Sequence, residues 1–321
     1  MNSFDLRIDM SNSHRGYDRP LYLLPFDHRH SYVAGLFHLT GPLTAPQRRA
    51  VTESKRVIYD GFLETAGRDL PSWAAGVLVD EEFGSEILRD AAANGHVTAL
   101  PVERSGAAEF EFEYGDAFEQ HIASFSPTFA KALVRYNPED DPATNDRQIA
   151  RLRRLSDYCQ STGQLFMFEL LVPATEAQRH RAEALETDYD MWMRPELTVR
   201  AITTLQDAGI EPDIWKVEGL DRRQDCERVA ASARRGGREA VSCIVLGSAA
   251  DPRSVSRWLE TAASVAGFVG FAVGRTTFWD PIADVIAKRA TRQAAVSRIS
   301  RRFGEWIEIF ERARARNRSA A

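Results

Sequence analysis

The chain has 321 residues, 44% of them hydrophobic and 27% charged, with a formal net charge of -5. That length suits one α/β barrel and the composition supports a large core, while the weak acidic balance draws neither nucleic acid nor an anionic membrane. No stretch approaches the ~20 apolar residues needed to cross a bilayer. The three cysteines, Cys159, Cys226 and Cys243, are too scattered for a disulfide framework or a zinc site. The opening residues from Met1 to Asp9 carry acids early and lack a long apolar run, so they do not read as a signal peptide, and a cytoplasmic protein is expected.

Along the chain, short apolar runs alternate with helical patterns, which predicts βα units and a parallel sheet. A first strand is expected over Leu21–Phe26. Thr44 then precedes a helix over Pro46–Asp60 that should stop at Gly61. A second strand, Trp73–Val79, leads to a helix over Glu82–Asn94, and a third strand covers Val97–Pro101. The acidic segment Gly106–Phe118 is irregular and is expected to cover one end of the sheet. The fourth strand is expected over Ala132–Arg135, the breaker-rich Pro138–Ala143 as a loop, and a helix over Asn145–Thr162 up to Gly163. Strand Leu165–Leu171 follows, then the segment Pro173–Arg194, which has no readable pattern, and a helix over Glu196–Ala208. Strand Ile214–Val217 precedes a helix that Asp221 should cap and that runs to Arg235. Strand Ser242–Leu246 is followed by a helix opened by Asp251-Pro252, with proline in the first turn. Strand Gly267–Val273 and a closing helix over Thr291–Arg314 end the series, and the arginines near the C-terminus read as a solvated helix end.

Eight βα units on one chain, with no repeat, linker or break, predict a single domain over residues 1–321, closed as a barrel or open as a doubly wound sheet. The dinucleotide fingerprint G-x-G-x-x-G is absent after the first strand, which runs into Phe26-Asp27-His28-Arg29-His30.

In a barrel the chemistry sits at the C-terminal strand ends. Here the apolar runs stop at Asp27, Asp80, Arg135, Glu169 and Lys216, and at the glycine turns Gly247-Ser248 and Gly274-Arg275. Alternation puts Ile214, Lys216 and Glu218 on one face of their strand. If that face is inward, Lys216 meets an apolar barrel mouth whose low polarity disfavours its ammonium form and prepares it to attack a carbonyl. A lysine at a strand end can equally snorkel outward and pair with Glu218. Glu169, inside Leu165–Val172, is costly to bury unpaired, so it suits Lys216 as a partner, either for proton transfer or as a structural ion pair. Asp27 could hold a substrate hydroxyl or act as acid or base at a cleaved bond, with Arg29 as an adjacent contact. Lys131 and Arg135, four apart, point the same way from the fourth strand, and the sequence does not decide which serves a site. The paired turns Gly247-Ser248 and Gly274-Arg275, before helix N-termini, suit a phosphate, with Arg275 as a forked donor. No His, Asp or Glu spacing matches a metal site.

The strings Leu24-Pro25-Phe26-Asp27-His28-Arg29, Ile214-Trp215-Lys216-Val217-Glu218-Gly219 and Val273-Gly274-Arg275-Thr276-Thr277-Phe278-Trp279 resemble a bacterial family of class I aldolases. This is the aldolase-like domain often fused to the sugar kinase of myo-inositol catabolism and also found alone; it is similar, more distantly, to the tagatose-1,6-bisphosphate aldolases. The resemblance runs from about residue 20 to residue 310. It implies a single (β/α)8 TIM barrel of the α/β class and an imine on Lys216. It also implies Glu169 as the strand-five carboxylate, Asp27 as the strand-one aspartate and Lys131 as the strand-four lysine. The expected reaction is a metal-independent cleavage yielding dihydroxyacetone phosphate, with no cofactor and a sugar phosphate as the small-molecule partner. The substrate known for the inositol-pathway relatives is 2-deoxy-5-keto-gluconate 6-phosphate, whose other product is malonate semialdehyde. Other sugar phosphates, such as tagatose bisphosphate or a sulfosugar phosphate, a transaldolase and a non-catalytic sugar-phosphate-binding barrel stay open as alternatives. So does a homo-oligomer. Gly106–Phe118 and Pro173–Arg194 are expected to shape the aldehyde half of the pocket.

Overall fold

The computed structural model describes residues 16–67 and 70–320; residues 1–15, on which the reading for a signal peptide falls, lie outside the described residues. Eight parallel strands close into one barrel in chain order, β1 pairing with both β2 and β8. They are β1 (Leu21–Pro25), β2 (Ala75–Leu78), β3 (Val97–Pro101), β4 (Phe129–Arg135), β5 (Leu165–Leu171), β6 (Ile214–Glu218), β7 (Ser242–Leu246) and β8 (Phe268–Ala272). Closure decides between the two architectures that eight βα units allow. Outside the ring stand α1 (His30–Phe37), α2 (Ala45–Ala66), α3 (Glu81–Ala93), α4 (Phe118–Phe125), α5 (Pro142–Thr162) and α6 (Glu176–Ala184). They are followed by α7 (Tyr189–Trp192), α8 (Arg194–Asp207), α9 (Arg223–Arg234), α10 (Pro252–Ala263), α11 (Arg275–Ile286) and α12 (Arg292–Ala320).

Strand parity sorts the apolar side chains into two cores. Leu21, Leu23, Val97, Phe129, Met167, Ile214 and Ile244 fill the barrel interior. Their neighbours of opposite parity, such as Tyr22, Leu24, Ala130, Phe166, Phe168 and Trp215, pack outward against the helices. This is why the strands read as continuous apolar runs: both faces are covered. At ~25 cal/mol per Å² of buried apolar surface, this two-sided coverage is the main stabilising term of such a barrel. Among the described residues no helix is long and apolar enough to cross a membrane.

Several boundaries differ from the sequence expectation for local reasons. Helix α2 runs through Gly61 and stops at Gly67. A Cβ on Gly61 would come within 2.6 Å of the Ile299 side chain on α12, so this glycine permits two helices to cross rather than ending one. Asp221 does not cap α9; its carboxylate accepts from Arg257 and Trp258 of α10 instead. Strand β4 begins at Phe129, three residues before the expected start, which puts Lys131 inside the sheet. Helix α5 begins at Pro142 with Asp141 as its cap, so the expected loop is shorter. The closing helix α12 extends to Ala320, and three of its late arginines pair with acids: Arg312 with Glu308, Arg314 with Glu311 and Arg316 with Glu260.

Candidate active site

The C-terminal mouth of the barrel opens into a cavity of about 450 Å³. Its floor carries charge from five side chains, three on β4, β5 and β6 and two just beyond the ends of β1 and β3. Lys131 of β4 follows Phe129 on the inward face, Glu169 of β5 follows Met167, and Lys216 of β6 follows Ile214. The register sets Glu169 beside Lys216. Asp27 lies two residues beyond the end of β1 and Glu103 two beyond the end of β3.

Glu169 joins the two lysines. One oxygen is 2.8 Å from Lys216 Nζ, and the other is 2.8 Å from Lys131 Nζ. Lys131 also donates to Asp27 at 2.8 Å and to Glu103 at 2.6 Å. An ammonium has three N–H donors, so these three carboxyls use every one. Among the described residues Lys216 has a single ion pair, to Glu169. Both lysines are buried, Lys131 completely and Lys216 to 3% exposure.

The electrostatics follow from burial and count. Burial disfavours charge on Lys131, but Asp27, Glu103 and Glu169 outweigh it and hold its ammonium well above the ordinary lysine range. Burial also works against Asp27 and Glu169, yet Lys131 overcomes it for both, joined at Glu169 by Lys216, and both carboxyls stay below their usual range. Glu103 goes the other way: burial raises it, and the attraction of Lys131 does not undo the rise. Burial pushes His28 down to about 4 despite the neighbouring Asp27, so its ring is neutral at physiological pH.

From the sequence, the barrel mouth around Lys216 is expected to be apolar. It is ionic instead, because the same parity that turns Lys216 inward turns Glu169 and Lys131 inward beside it. Nor does Lys216 snorkel to Glu218: that carboxylate lines the cavity two positions higher and accepts the Val172 N–H at 2.9 Å. Arg29, expected as a substrate contact, is engaged by Glu113 at 2.8 Å and by the Glu103 carbonyl at 2.5 Å, so it ties the β1–α1 turn to the β3–α4 loop while lining the cavity.

Arg135 and Arg275 also line the cavity, from β4 and from the start of α11, and among the described residues neither side chain has an ion pair. Burial lowers Arg275 somewhat, against the pull of Glu169 and Asp27. Gly247 and Ser248 line the same side, with Ser248 in the left-handed region at φ 46°. Gly274 is obligatory there, since a Cβ would meet the Pro25 carbonyl oxygen at 2.1 Å where β1 and β8 close the ring. The two helix N-termini beyond these turns are not equivalent. Asp251 caps α10 by accepting from Arg253 and Ser254, whereas no side chain caps α11, which starts at Arg275. Of the two turns, the one after β8 therefore leads into a helix whose first N–H groups no side chain caps.

Glu103 escaped the sequence reading because Pro101 looked like the end of the strand. The available signal was parity: positions 97, 99, 101 and 103 share a face, and the chain stays extended beyond Pro101, with Val102 N–H bonded to the Lys131 carbonyl at 2.9 Å. The Gly106–Phe118 segment covers the mouth as expected, since residues 106–110 line the cavity, but none of the lining residues comes from Pro173–Arg194, which folds into α6 and α7. Among the described residues no group of three or more His, Cys, Asp or Glu is placed to hold a metal ion.

Closed ring, inward ion cluster and uncapped turn after β8 define an α/β TIM barrel with its candidate site at the C-terminal strand ends. The chain belongs to the family described as "Uncharacterized protein conserved in bacteria (DUF2090)", whose model matches residues 7–314. No curated protein matches it in sequence. Among solved structures it is similar to a protein of Corynebacterium glutamicum, Cgl0159, at 18% identity and a TM-score of 0.54 over 91% of this chain and 88% of that one. It is also similar to the fructose-bisphosphate aldolase of Plasmodium falciparum, at 12% identity and a TM-score of 0.57 over 92% of each chain. A third, the fructose-bisphosphate aldolase of Slackia heliotrinireducens, matches at 10% identity and a TM-score of 0.54 over 87% of this chain and 85% of that one. At these identities the likeness establishes the barrel fold.

Proposed function

We propose that the protein is a class I, imine-forming aldolase that cleaves a phosphorylated ketose or keto sugar acid to dihydroxyacetone phosphate and an aldehyde. The observation that carries this reading is the unequal treatment of two buried lysines that share Glu169. Lys131 is locked as an ammonium by three carboxyls, so it serves as a fixed positive charge. Among the described residues Lys216 has one ion-pair partner, Glu169, which leaves its other N–H donors free of acid, so its amine is the one that can shed a proton and attack a carbonyl. The aldolase names of two structural neighbours agree with the reading.

In this reading the substrate phosphate lies at Gly274 and Arg275, against the uncapped start of α11. Gly247 and Ser248 flank it, and Arg135 faces the cavity from β4. The ketone carbon then meets Lys216. The amine adds to it, the carbinolamine loses water, and the resulting cationic imine draws electrons from the bond to be broken. Glu169 and Lys131 hold charge around the imine, and Asp27 is placed to accept a hydrogen bond from a substrate hydroxyl. The substrate we assign is 2-deoxy-5-keto-gluconate 6-phosphate, with malonate semialdehyde as the aldehyde product and the cytoplasm as the place where such phosphates are held.

Borohydride reduction in the presence of dihydroxyacetone phosphate tests this. The expected outcome is one reduced adduct on the peptide holding Lys216, absent in Lys216→Arg. A phosphate ester that binds without any adduct there would sink the reading.

A further inference from the structure

Three carboxyls, Asp27, Glu103 and Glu169, converge on the two lysines of the floor. Among these five groups the acids exceed the lysines by one, with Arg29 and Arg275 as further cations that feel them. Asp27 has one oxygen on Lys131 and the other 3.9 Å from His28 Nδ1, and Glu169 spends one oxygen on each lysine. Glu103 differs: Lys131 holds Oε1 at 2.6 Å, while Oε2 is buried and has no hydrogen-bond partner. The residue lines the cavity, and it is fixed in place because Arg29 grips its backbone carbonyl. A buried carboxyl oxygen left without a partner is costly, and a substrate hydroxyl would relieve that cost.

We infer that Glu103 is the catalytic base of the cleavage step, taking the proton from the substrate hydroxyl next to the bond that breaks. This rests on the aldolase reading above. As the hydroxyl O–H bond breaks, its proton passes to Glu103 Oε2 and its electron pair forms the aldehyde C=O. The C–C electron pair moves towards the imine, whose C=N pair comes to rest on the Lys216 nitrogen, leaving a neutral enamine. No oxidant or further reactant is needed. In the condensation direction the same proton returns from Glu103 to the nascent alkoxide. The raised position of Glu103 agrees with this, because a stronger base is a better acceptor than Asp27 or Glu169, which the lysines hold low.

The test separates the steps that involve the hydroxyl from those that do not. Imine formation with dihydroxyacetone phosphate alone, and exchange of its α-proton in deuterated water, involve no aldehyde oxygen. Condensation does, and would be measured with malonate semialdehyde and with glyceraldehyde 3-phosphate, using whichever the wild type accepts faster. Glu103→Gln is expected to keep the borohydride adduct on Lys216 and to keep α-proton exchange within about threefold. It should slow condensation by about 100-fold or more, the range of a lost general acid or base, and Glu103→Asp should restore part of the rate. The retained adduct reports an intact site. Condensation at the wild-type rate, or a fall in exchange equal to that in condensation, would overturn the assignment. A wild type that forms no adduct, or forms it and condenses neither aldehyde, overturns the aldolase reading itself and the role of Glu103 with it.

Discussion

The barrel buries lysine–carboxylate clusters on both sides of its sheet. Inside, Lys131 and Lys216 share Glu169 at the floor of a cavity. Outside, Lys55 of α2 is fully buried against Asp80 at the end of β2 and also donates to the His28 carbonyl at 3.1 Å. The rings of Tyr32 and Phe83 cover its ammonium at 5.3 and 5.5 Å. Asp80 in turn caps α3 by accepting from Phe83 N–H at 3.0 Å. By burial alone the two clusters look alike. They differ in stoichiometry and access. Among the described residues the outer pair is one acid on one base, leaves no buried polar atom without a partner and does not line the cavity. The inner cluster has surplus acid, an unpartnered oxygen and room for a ligand. A buried ion pair therefore marks a scaffold joint on one face of this sheet and a candidate reaction centre on the other.

The sharpest way to break that comparison is to remove one lysine from each cluster. Lys131→Met and Lys55→Met each strand buried acid, and each should cost about 3–5 kcal/mol in denaturant unfolding. Their activities should part: condensation by Lys131→Met is expected to fall ~100-fold or more, whereas Lys55→Met, assayed where it is folded, should keep its turnover within a few fold. Equal losses of turnover would erase the distinction. A smaller effect is expected at the anion side of the inner site. Arg275→Gln removes an uncapped-helix guanidinium, and the KM for dihydroxyacetone phosphate in condensation should rise ~10- to 100-fold, the worth of a charge-assisted hydrogen bond, with α-proton exchange at saturation little changed. An unchanged KM would move the phosphate elsewhere in the cavity.

The smallest effect concerns pH. His28 sits at about 4 in the folded protein, below the ~6.5 of an unfolded histidine. The unfolded chain therefore binds the extra proton first, and the stability tied to neutral His28 is fully present above pH ~6.5 and drains as pH falls towards 4. The loss amounts to about 2–3 kcal/mol. Guanidinium unfolding at pH 7 and pH 4.5 should show a smaller acid loss in His28→Asn than in the wild type. Parallel losses would show that His28 is not buried neutral. Glu169 and Asp27, held low, add their own loss only at still lower pH.

The eight strands were legible because both faces of a barrel strand are apolar, which leaves continuous runs bounded by turn residues. Lys216, Glu169 and Asp27 stood out because each interrupts or ends such a run. Parity did the rest, while the closed order of the strands around the ring came from the structure. What a linear pattern cannot hold is proximity across the ring. Lys131 looked like an optional residue at a strand start until β4 proved three residues longer, and Glu103 lay behind Pro101. Asp221 and Gly61 had the right chemistry for helix ends and were used by a neighbouring helix instead. Sequence alone thus determined the eight strands and which residues share a face along each, since both depend on local periodicity. Only closure of the barrel decided that three acids meet one lysine while the other keeps a single partner, because that balance depends on distances between β1, β3, β4, β5 and β6 that exist only once the ring is shut.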